Sequence, residues 1–156
     1  MTAAPIVDTT YVHDGVSFPP IRRASWTATA STTIATSGAA VLPAEAGLTE
    51  WLHTVGPSEG WCAVTHPSQS VGMVLEFDPE VFKTTWLWGV YGGWRGHYVL
   101  LTEPCTSPPG GLAQNVADGT AAWLDGGAAI ETVVTATVVE EVTASAGDLR
   151  PGDPPA

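Results

Sequence analysis

KTTWLWGVYGGWRGHYVLLTEPCTS, residues 83–107, decides how the chain is read. Two apolar runs, TTWLWGV (84–90) and HYVLLTE (97–103), flank the glycine-rich YGGWRG. Gly92-Gly93 between such runs is turn chemistry. Three of the seven tryptophans lie here: Trp86, Trp88 and Trp94. So does Glu103, at the end of an apolar strand and followed by Pro104. Burial disfavours the charged form of such a carboxylate, which makes it a candidate for proton transfer.

The same grammar of short apolar runs and turn residues extends outward. GWCAVTH (60–66) precedes the turn PSQS, and SVGMVLEF (70–77) precedes the turn DPEVF. The long run AIETVVTATVVEEV (129–142) is the strongest strand candidate, with Ile130, Val134, Ala136, Val138 and Val142 on one face. TAAWL (120–124) reads as a further short strand. IRRASWTATASTTIATS (21–37) alternates at Trp26, Ala28 and Ala30 and predicts one long or two short strands. The best helical candidate is AEAGLTEWLHTV, with Thr49 as a cap and Gly47 and Gly56 as its limits. A single helical turn is expected at Leu112 to Val116. Turn signals every 8–12 residues and almost no helix predict an all-β chain, an antiparallel β-sandwich. Its expected organisation is an irregular lead-in over 1–20, a sandwich over 21–143 and a disordered tail over 144–156.

Composition narrows the function. A chain of 156 residues is one domain or part of a larger one, and 44% apolar content suffices for a core. Five Lys and Arg and a net charge of −11 argue against nucleic acid and against an anionic membrane surface. The plain reading of that acidity is solubility. No apolar run is long enough to span a membrane, and the N-terminus lacks the basic start and apolar core of a secretory signal. Cys62 and Cys105 form no CxxC and are expected as two buried thiols in a reducing cytoplasm. No His, Asp or Glu cluster has ligand spacing, so neither a metal nor a cofactor is expected.

The run from Trp61 to Val142 resembles the C-terminal half of the galactose mutarotase-like (aldose 1-epimerase) family. The matching stretches come in the family's order: EFDP (76–79), WLWGVYGG, YVLLTEP, the loop TSPPGGLAQNVADGTAAWL, and LDGGAAIETVVTATV. The resemblance implies part of the family's supersandwich fold and a small-molecule carbohydrate as partner. It also implies an isomerase activity in which a glutamate, here Glu103, takes the proton from the anomeric hydroxyl. A histidine then protonates the ring oxygen. The family's histidines lie in a half without a counterpart here, and His13, His53, His66 and His97 fall outside its histidine motifs. The resemblance therefore leaves two alternatives open. One is an epimerase-like enzyme; the other is a non-catalytic sugar-binding or self-associating sandwich, a homodimer among its expected forms.

Around Glu103, the substrate-binding candidates are Trp94, Arg95, Trp88 and His97. Indoles stack on sugar C–H faces, and a guanidinium clamps hydroxyl or phosphate oxygens. Trp86 and Trp88 share a strand face, and the bland reading places both in the core. Trp94, in the turn, is expected to be exposed. His97 precedes Glu103 by six residues, roughly 20 Å at strand rise. Trp51 and His53 are expected as packing or surface residues of the short helix.

Overall fold

The computed structural model describes residues 10–13, 16–17, 22–25, 38–66 and 69–140, with side chains over 41–66 and 69–140. Ten strands are described there: β1 Thr10–His13, β2 Val16–Ser17, β3 Arg22–Ser25, β4 Gly38–Ala40, β5 Leu48–Val55, β6 Trp61–His66, β7 Val71–Phe77, β8 Thr84–Tyr91, β9 Tyr98–Cys105 and β10 Val134–Glu140. A 3₁₀ turn spans Ala44–Ala46, and one helix, α1, spans Leu112–Ala117. The strands form two antiparallel sheets. Sheet one has the order β10-β7-β6-β1-β4; sheet two has the order β2-β5-β8-β9, with β3 also paired to β5. The chain is an all-β antiparallel sandwich with very little helix.

The core forms where side chains of the two sheets meet. Leu52 of β5 and Leu87 of β8 pack on Cys62 of β6 and Phe77 of β7, and Leu52 and Cys62 are wholly buried. At one end of the strands Tyr91, Leu48 and Val41 make a second cluster. The opposite face of sheet one is also buried at Trp61, Ala63 and Val74. Pro104 sits inside β9, which its lack of an N–H permits because β9 is an edge strand.

Several expectations change. The helix expected over AEAGLTEWLHTV is a 3₁₀ turn followed by strand β5. Residues 48–55 alternate strictly between buried and half-buried, a period of two that outweighs the helix propensity of the segment. Two paired strands, β1 and β2, lie inside the lead-in expected to be irregular. TAAWL is not a strand: the N–H groups of Thr120 and Ala121 both donate to the carbonyl of Asn115. Asn115 is itself buried, and its side-chain amide donates to the Pro108 carbonyl, so this one residue organises the β9–β10 connection. The closing strand is Val134–Glu140, shorter than 129–142. Trp26, Val142 and the 144–156 tail lie outside the described residues.

Candidate functional site

Strand pairing places tryptophans on the outer face of sheet two. Paired residues of an antiparallel ladder share a face. Leu52 pairs with Leu87 and both are buried, so the neighbouring row points away from the core. In that row His53 of β5 pairs with Trp86 of β8, and Trp86 pairs with Glu103 of β9. The next row on the same face is Trp51, Trp88 and Leu101. Three strands at the usual spacing give a patch about 10 Å wide.

The indoles form one surface. Trp51 meets Trp86 edge-on at 5.4 Å and lies tilted against Trp88 at 6.4 Å. Trp88 remains 39% exposed. The indole N–H of Trp86 donates to the Ser107 carbonyl at 3.2 Å, which orients the ring and tethers the loop after β9 to the edge of the patch. Trp86 and Trp88 share a face as expected, but it is the outer face of the sandwich, so neither ring fills the inter-sheet core.

The polar groups flank Trp86. Glu103 is half-buried and, with Leu101 and Cys105, belongs to the outward row of β9. The Cys105 thiol is pushed up to about 11, first by burial and then by the negative Glu103. It stays protonated near neutral pH and is no nucleophile there. His53 is partly buried on the opposite flank, and desolvation lowers its pKa below the usual value, so a neutral imidazole is favoured. Sequence reasoning set His53 aside with the supposed helix. Its signal was the alternation of 48–55, which puts His53 in phase with Trp51.

The remaining candidates gather elsewhere. Trp94 stacks on His97 at 5.0 Å, and the Arg95 guanidinium lies 5.4 Å from the Trp94 ring centre. These three residues form the tip of the β8–β9 hairpin, where Trp94 is 47% exposed. Glu103 lies near the far end of β9, six residues and about 20 Å from His97. The structure thus brings Trp88 and Glu103 onto one face and groups Trp94, Arg95 and His97 at the tip. Among the described residues no three His, Cys, Asp or Glu side chains are arranged to hold a metal, and no helix is long and apolar enough to cross a membrane. Comparison with protein-family models, with characterised proteins and with solved structures finds no match to this chain.

Proposed function

We propose that the outer face of sheet two is a carbohydrate-binding surface of an aldose 1-epimerase-like, mutarotase-type protein. The observation that carries this reading is the joined strip of Trp51, Trp86 and Trp88, on the outer face and bordered by a carboxylate and an imidazole. Indole faces accept the apolar C–H side of a pyranose, and Glu103 accepts hydroxyl protons at its rim. In the catalytic form of the reading, Glu103 takes the anomeric O–H proton as the C1–O5 bond opens. Water at the open outer face, rather than the neutral His53 imidazole, gives the ring oxygen its proton. After rotation about C1–C2, closure returns that proton to water and the Glu103 proton to O1, yielding the other anomer. Neither step needs a metal or a cofactor. Two cysteines with no disulfide between them suit a reducing, cytoplasmic setting. The acidic chain is matched to a small neutral sugar and not to nucleic acid or an anionic membrane.

The test is a titration of the indole N–H resonances with a panel of aldoses and one sugar phosphate, alongside the rate of anomer interconversion. The reading expects one sugar to shift Trp51, Trp86 and Trp88, and Glu103→Gln to abolish any rate enhancement while leaving the dispersed spectrum intact. Shifts without rate enhancement in the native chain would leave a binding module in place of an enzyme. Dispersed resonances that no sugar moves would remove the carbohydrate reading altogether.

A further inference from the structure

Sheet one runs five strands across, whereas sheet two runs four across because β2 and β3 both pair with β5. On the inter-sheet face of β10, Val138 is in line with Met73 of β7 and Val64 of β6, and Leu100 of β9 lines the same cleft. Sheet two ends at β9 among the described residues, and Tyr98, Val99 and Leu100 of β9 line that cleft beside Val138 without covering it. Val138 is 68% exposed although it occupies a core-facing position. Beside it the sheets leave an open apolar cleft of about 400 Å³ between Val64, Met73, Tyr91, Tyr98, Leu100 and Val138.

β10 is also the last strand of its sheet among the described residues. It reads VTATVVE: five of seven residues are β-branched, with no proline, glycine or lysine. Edge strands in natural proteins are normally blunted by such residues, and an unblunted one is a template for another strand. The connection that leads into it adds Trp123, at 77% exposure, with Ile130 and Val133.

We infer that β10 pairs antiparallel with β10 of a second copy across a two-fold axis, joining the two copies of sheet one into one continuous sheet. Area selects a protein partner over a small molecule. From their fractional exposures, Trp123, Leu124, Ile130, Val133, Val134 and Val138, on β10 and the connection into it, expose on the order of 700 Å² in all. That total approaches one side of a standard interface, about 800 Å². A ligand filling the cleft would leave Trp123, Ile130 and Val133 in water. Geometry selects a second copy. Val134 lies at the Phe77 end of sheet one, and the cleft opens at the Val71 end. Antiparallel pairing centred on Thr137 sets Val134 of one copy opposite Glu140 of the other. It thereby carries Val133 and Ile130 of each copy to the end where the other's cleft opens. The contact is isologous and closes, as a two-fold dimer requires.

Charge supplies a second handle. Residues 96–140 contain no Lys or Arg, so the joined edges repel one another and salt strengthens the pairing. Sedimentation equilibrium of the full chain should show mass rising from one protomer to two with concentration. The midpoint should move to lower concentration as NaCl goes from about 0.05 M to about 0.5 M. Val138→Asp and Ile130→Asp, both at exposed positions, should each weaken the dimer at least tenfold with the indole resonances of Trp51, Trp86 and Trp88 unchanged, whereas Val138→Thr should leave it. A strictly monomeric chain at millimolar concentration overturns the inference. So does a dimer that both aspartate variants leave intact, or one that salt dissociates.

Discussion

Glu103 faces Trp86 directly across the β8–β9 ladder on the outer side of the sandwich, and Cys105 follows on the same face. The carboxylate is therefore felt by the thiol as well as by anything lying on the indole. Burial is the larger cause of the high thiol value of about 11, and Glu103 adds to it. Glu103→Gln removes the second cause and should lower the Cys105 value. The thiolate fraction at pH 8.5 then rises, and with it the alkylation of Cys105 by iodoacetamide, by roughly two- to fivefold. Cys62, wholly buried, serves as the unreactive internal standard. An unchanged rate would mean that the two side chains do not share the outer face.

His53 links the other flank of Trp86 to stability. Its folded value lies below the ordinary 6.5 because burial penalises the imidazolium. As pH falls below about 6.5, the unfolded chain takes up this proton before the folded one, so stability drops with falling pH. Above that value both states are neutral and the group is silent. Urea midpoints compared at pH 7.5 and pH 5.5 should differ less in His53→Gln than in the native chain. Equal differences would show that His53 is as solvated in the fold as in the unfolded chain.

The β8–β9 hairpin, β6 and β7 were legible because each is a short apolar run bounded by turn residues, which is the signal strands emit. The segment 44–55 was misread because Ala44, Glu45, Ala46, Leu48, Glu50 and Leu52 favour helix one by one, whereas tertiary pairing to β8 decides the outcome. That error hid His53 and Trp51, which the true period of two places beside Trp86 and Trp88. Which face of β8 points inward was not legible either. Alternation shows that Trp86 and Trp88 go together, but Leu87 and Tyr91 on the opposite face compete for the core and occupy it. Asn115 gave no signal, since its role rests on the backbone carbonyls and N–H groups it meets after folding.

Thr85 is wholly buried, and its hydroxyl has no hydrogen-bond partner among the described residues. Valine has nearly the same shape without the group that must be stripped of water. Thr85→Val should raise stability by about 1 kcal/mol in urea unfolding. Thr84→Val next to it should do the reverse, because the Thr84 hydroxyl donates to the Thr54 carbonyl. If both substitutions destabilise equally, the Thr85 hydroxyl has a partner after all.

Gly93 separates two reasons for glycine in the hairpin tip. Gly92 has φ of 77°, in the left-handed region, whereas Gly93 does not. A Cβ on Gly93 would instead stand 2.4 Å from the carbonyl carbon of Leu48, a backbone atom at the start of β5 that cannot swing aside. Gly93→Ala should therefore pry the tip from β5 at a cost of about 1–3 kcal/mol. The same movement should disturb the stack of Trp94 on His97, seen as a shift of the Trp94 indole resonance. Gly126→Ala is the matched control: it lies in open space with no positive φ, so its stability should stay within about 0.5 kcal/mol of the native chain. A Gly93→Ala protein as stable as that control, with Trp94 unmoved, would show that the tip does not rest on β5 in solution.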